Sequence, residues 1–115
     1  MKVAIVGSRN FTDYAKLEGF VLSKVTLQDI DLVISGGASG ADGLAEKFAY
    51  KHNLKKLIFK AEWDRFGKSA GFIRNKSIVN EADIVIAFWD GYSPGTKMTI
   101  ELTKEKNKPV YVLMF

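Results

Sequence analysis

Cysteine is absent from this 115-residue chain, histidine occurs once and proline twice. With no cysteine there is no disulfide framework and no thiolate zinc site, a composition that suits a reducing, cytoplasmic compartment. A single histidine, His52 near a helix end, supports neither a transition-metal centre nor a Ser-His-Asp triad. No metal and no cofactor are therefore expected. No apolar run approaches the roughly 18 residues that a membrane span needs, so no membrane partner is expected. The segment Met1–Gly7 is too short for a signal peptide and lacks its small-residue cleavage site; it reads as a first strand.

The length suits one domain over residues 1–115. A net charge of +4 invites a nucleic-acid reading. The lysines, however, are spread along solvated helix faces and no block of five like charges occurs, so nucleic acid is not expected as a partner. Apolar runs at Val3–Val6, Leu32–Ile34, Leu57–Phe59, Ile84–Phe88 and Val110–Leu113 have the character of strands buried on both faces. Between them lie helical stripes. Tyr14, Leu17, Val21, Leu22 and Val25 follow a Thr12 or Asp13 cap, and Leu44, Ala45, Phe48 and Ala49 end near His52-Asn53. Ile73, Ile78, Val79 and Ala82 mark a third helix, and Met98, Ile100 and Leu102 a fourth that closes before Pro109. Strict alternation of strand and helix predicts a three-layer α/β sandwich with a five-stranded parallel sheet.

In such sheets the ligand sits beyond the carboxyl ends of the strands, so the loops there carry the chemistry. They are Gly7–Thr12, Ser35–Gly43, Ala61–Gly67 and Trp89–Thr96. Only three arginines occur, Arg9, Arg65 and Arg74; two follow strands and one opens the third helix. A planar guanidinium suits bidentate phosphate recognition, whereas lysine serves well as a solvated charge. The Gly36–Gly43 segment lets backbone amides approach an anion. Within it Ser39 is either a phosphate donor or a helix cap paired with Asp42. Asp42 is either a dipole partner or a ribose acceptor. Gly95 and Thr96 offer a second cradle, or a turn and cap. Phe11, Trp63, Trp89 and Tyr92 are candidates for stacking on a base. Neither a dinucleotide fingerprint nor a Walker loop is present, which disfavours NAD-dependent hydride transfer and ATP hydrolysis.

Taken in order, Gly7-Ser8-Arg9-x-Phe11, Gly36-Gly37-Ala38-x-Gly40-Ala41-Asp42, Ala70-Gly71-x-Ile73-Arg74-Asn75 and Gly95-Thr96 resemble the SLOG superfamily. The similarity is strongest to its short bacterial and phage proteins of the YspA and YpsA types. The resemblance implies a Rossmann-like sheet ordered 3-2-1-4-5 and, because relatives often dimerise, a homo-oligomer. It also relates the chain distantly to phosphoribohydrolases, to a DNA-processing recombination mediator and to sensors of nucleotide-derived signals. The phosphoribohydrolase motif carries a glutamate where this chain has Thr99; Glu101 lies about 200° further round the helix. Cleavage would then need another carboxylate, such as Glu62, Asp64 or Asp90.

The leading reading is a module that binds a nucleotide-derived, phosphate-bearing small molecule, such as an ADP-ribose derivative, to sense or sequester it. The ligand-binding candidates are Gly7, Ser8, Arg9, Phe11, Gly36, Gly37, Ser39, Asp42, Trp63, Arg74, Asn75, Trp89, Ser93, Gly95 and Thr96. No catalytic residue is assigned. The alternatives are a nucleotide N-glycosidase or phosphoribohydrolase, and a single-stranded DNA binder.

Overall fold

Five apolar runs form the strands: β1 (Lys2–Gly7), β2 (Leu32–Ser35), β3 (Lys56–Ile58), β4 (Ile84–Trp89) and β5 (Val110–Met114). The computed structural model describes residues 1–115 and sets the strands in one all-parallel sheet, ordered β3-β2-β1-β4-β5. This is the order that the resemblance implies. β1 is central: Val3 pairs with Val33 on one side and with Ile84 on the other.

Side chains alternate across the pleat, and this alternation divides the core in two. Val3, Ile5, Ile84, Ile86 and Phe88 face helices α1 (Tyr14–Lys24) and α2 (Ala41–Lys51), where Leu17, Val21, Ala45 and Phe48 complete the packing. Ala4, Val6, Val85 and Ala87 face the opposite layer, built from α4 (Ala70–Glu81) and α5 (Pro94–Glu105) through Ile78 and Ile100. One further turn, α3 (Trp63–Phe66), interrupts the connection from β3 to α4.

Local signals set the helix ends. Asp13 caps α1, its carboxylate accepting from the Lys16 amide at 3.1 Å. At the far end of α4, the Lys108 ammonium donates to the carbonyls of Val79, Asn80 and Ala82 at 2.7, 3.1 and 2.8 Å. These are the carbonyls that a terminating helix leaves without partners. No helix is long and apolar enough to cross a membrane.

Candidate functional site

Because β1 and β4 are neighbours, the loops that leave their carboxyl ends lie side by side. Two bonds pin them. The Ser8 amide donates to the Phe88 carbonyl at 2.8 Å, and the Asp90 amide donates to the Ser8 hydroxyl at 3.2 Å. The loop after β2 closes on the same spot through Gly40, where φ is +73° and a Cβ would lie 2.4 Å from the Arg9 carbonyl oxygen. Together these segments line a cleft of about 470 Å³ with residues of α4 and α5, among them Gly7, Ser8, Arg9, Asp42, Arg74, Asn75, Ser93, Gly95 and Thr96.

Arg74 reaches the cleft from the first turns of α4 and is held at two points. Its Nη1 donates to the Gly36 carbonyl at 2.9 Å and its Nε to Asn75 Oδ1 at 2.7 Å. The other end of the Asn75 amide donates to the Gly95 carbonyl at 3.4 Å, so one side chain aligns Arg74 and steadies the start of α5. Gly36 permits this arrangement, since a Cβ there would meet Arg74 Nη1 at 2.6 Å and Asp42 Oδ2 at 2.7 Å. Burial lowers the pKa of Arg74; the Asp42 carboxylate opposes this and the like charge of Arg9 adds to it. Burial likewise raises the pKa of Asp42, against the Ala38 amide and Arg74. The cleft therefore holds two guanidiniums close enough to repel, with one reluctant carboxylate beside them.

The two helix N-termini at the cleft differ. At α2 the Ala41 amide donates to the Ser8 carbonyl at 3.3 Å, and Asp42 Oδ2 accepts from the Ala38 amide at 3.1 Å. Asp42 thus ties down its own loop, and the cap is Gly40, with no side-chain bond. The capping-box alternative for Ser39 and Asp42 is thereby excluded; Ser39 is exposed. At α5, Pro94 has no N–H, and the first backbone bond runs from Lys97 to the Ser93 carbonyl. The amides of Gly95 and Thr96 have no backbone acceptor. They are the kind of orphan donors that favour an anion.

The aromatic candidates separate sharply. The sequence reading sets Phe11 against a base; the structure buries it, stacked on Phe88 at 4.8 Å and edge-on to Phe115 at 4.8 Å. It joins the core on the α1–α2 side of the sheet, in one cluster with Leu17, Val21 and Phe48. Trp89 also turns away from the cleft, since its Nε1 donates to the Ser93 carbonyl at 3.0 Å and its ring packs beside the α4–α5 core. Tyr92 projects into solvent. Trp63 alone of the four lines a pocket, a second space of about 390 Å³ with Gly36, Gly37, Ser39 and Lys60.

Among the carboxylates weighed for cleavage, only Asp90 lines the cleft. The amides of Ser93 and Tyr92 donate to it at 2.8 and 2.9 Å and hold its pKa below the usual carboxylate range. The Ser93 hydroxyl donates to its second oxygen at 3.0 Å. Asp64 and Glu62 stand exposed outside the cleft. Thr99 does line it, but its hydroxyl donates to the Gly95 carbonyl at 3.1 Å. Sequence reasoning passed over Asn10 and Lys60. The signal available for each was its place just after a strand on the carboxyl edge.

An all-parallel sheet in this order, with a cleft at the β1–β4 switch point, defines a Rossmann-like α/β protein. The chain belongs to the YspA, cpYpsA-related SLOG family, whose model matches residues 1–66. It is 31% identical over 116 residues to the gene 61 protein of Mycobacterium phage D29, covering 95% of this chain and 93% of that protein. The fold is similar to that of DNA processing protein A from Helicobacter pylori, with a TM-score of 0.74 at 22% identity. That match covers 97% of this chain and 64% of the other, so the chain spans just under two thirds of its length. The Helicobacter protein binds single-stranded DNA. This corrects the expectation that nucleic acid is not a partner: dispersed surface lysines are no argument against such a ligand when a protein of this fold binds one.

Proposed function

We propose that the cleft binds the phosphate of a nucleotide-derived small molecule and holds it uncleaved, as a sensor or sequestering protein would. The observation that carries this reading is the pre-aligned Arg74 guanidinium, fixed by Gly36 and Asn75, in one cleft with the unpaired amides of Gly95 and Thr96. A phosphate there would accept from the arginine fork and the amides together, and it would relieve the repulsion between Arg9 and Arg74. Binding without cleavage follows from the carboxylates. Thr99 stands where the resemblance puts the hydrolases' glutamate, and Asp90 already accepts from the Ser93 and Tyr92 amides and the Ser93 hydroxyl, which tie it to its own loop.

The test is calorimetry with a panel of nucleoside phosphates and ADP-ribose derivatives, followed by chromatography of the mixture. Intact ligand with a measurable Kd is the expected result, and Arg74→Ala should weaken it at least tenfold, about 1.4 kcal/mol, with the circular dichroism spectrum preserved. Unchanged affinity would remove Arg74 from the site. A free base in solution would establish cleavage instead.

Single-stranded DNA binding is the second reading. It draws on the fold shared with a DNA-binding protein and on Arg9, Lys60 and Arg74 lying along one edge. It requires a steep fall of affinity with salt.

A further inference from the structure

The second pocket has a different character from the cleft, although the two adjoin, with Arg9, Ala38 and Arg74 lining both. No carboxylate lines it, whereas Asp42 and Asp90 both line the cleft. Arg9, Lys60 and Arg74 all line the second pocket, and none of them is in a salt bridge. The Lys60 stem lies over Gly37, where a Cβ would meet its Cγ at 3.2 Å, and the residue is exposed. Trp63 closes the far side with 53% of its surface exposed, a large area of indole that nothing in the fold covers.

We infer that this pocket takes a second nucleotide unit, covalently joined to the one whose phosphate sits in the cleft. The inference rests on the reading of the cleft given above. Arg9 and Arg74 belong to both spaces, so the phosphodiester joining the units would meet both guanidiniums at the junction. Lys60 would face the phosphate beyond it, and the base would stack on Trp63. A positive groove with an exposed aromatic is the arrangement that holds successive nucleotides with little regard to sequence. The ligand class is therefore a linked dinucleotide unit, free or as part of a single strand.

The four nucleoside monophosphates, their 5′-phosphorylated homodinucleotides and eight-nucleotide homopolymers serve as probes, in ribo and deoxy form, titrated calorimetrically. The dinucleotide should bind at least tenfold more tightly than the monophosphate, the order expected of one base stacked on an aromatic side chain. Trp63→Ala and Lys60→Gln should each erase most of that gain while leaving monophosphate affinity unchanged. Equal affinity for monophosphate and dinucleotide in the unsubstituted protein would overturn the second unit and leave the phosphate cleft standing. Failure of every probe to bind would overturn the cleft reading itself. An octamer that binds as tightly as the dinucleotide identifies a strand as the source; a much weaker octamer identifies a free dinucleotide.

Discussion

Gly40 holds φ +73° and ψ −129°, a combination that side-chain-bearing residues scarcely adopt, directly against the Arg9 carbonyl. Gly40→Ala should cost about 1–3 kcal/mol in thermal or denaturant unfolding, and more if the clash cannot relax. Ligand affinity should fall with it, because the loop that must move carries Arg9. Glu18 offers a second test at this scale. Lys51, His52 and Tyr14 all bond its carboxylate, with Lys51 the largest influence, and lower its pKa from 4.5 to about 2. The folded-state value lies below the unfolded one, so the stabilisation is present above about pH 4.5 and is lost as pH falls toward 2. Glu18→Gln should therefore melt earlier than the parent at neutral pH, and the two melting curves should converge on acidification through that window. Single residues were legible where chemistry makes them scarce: three arginines among fourteen lysines drew attention to Arg74. Phe11 was not legible. An aromatic in a glycine-rich loop looks the same whether it turns inward or outward, and its partners Phe88 and Phe115 come from distant parts of the chain.

The α4 C-terminus depends on Lys108, which arrives from the approach to β5 and bonds three of its carbonyls. Lys108→Met keeps the stem and removes the donors. The expected loss is about 1–3 kcal/mol, read from the denaturation midpoint at constant m-value. Such a cap is invisible in the local sequence of α4, since its donor lies 26 to 29 residues away. The longer helices were legible because burial imposes a period on them, and the strands because burial on both faces makes each a continuous apolar run. Asp13, one of the two candidates, proves to be the α1 cap. The turn Trp63–Phe66 was not legible, because four residues are too few to show a helical period. The start of α4 at Ala70 was obscured in the same way: no capping side chain announces it.

As a whole the molecule gathers its open amides and three of its cations on the carboxyl edge of the sheet. A ligand bound there touches segments from β1, β2, β3, α4 and α5, so binding should stabilise the entire fold. At one hundred times its Kd it should add about 2.7 kcal/mol, which scanning calorimetry would record as a rise in Tm of several degrees. Alternation of elements was enough to read the layers, but the strand order followed from the family resemblance. The second pocket escaped notice because Lys60 and Trp63 come to line one space with Arg9 only after folding. The family model, which matches residues 1–66, spans the loops of Gly7–Arg9 and Gly36–Asp42 but not Arg74 or Thr96. The central place of β1 has a consequence for biosynthesis. Its edge toward β4 is satisfied only when Ile84–Trp89 has left the ribosome, and until then its backbone donors and acceptors on that side are open to other chains. Translation must pass Trp89 before the nascent sheet can close on that side of β1, so the emerging polypeptide is at its most vulnerable to aggregation and to proteases just before β4 appears.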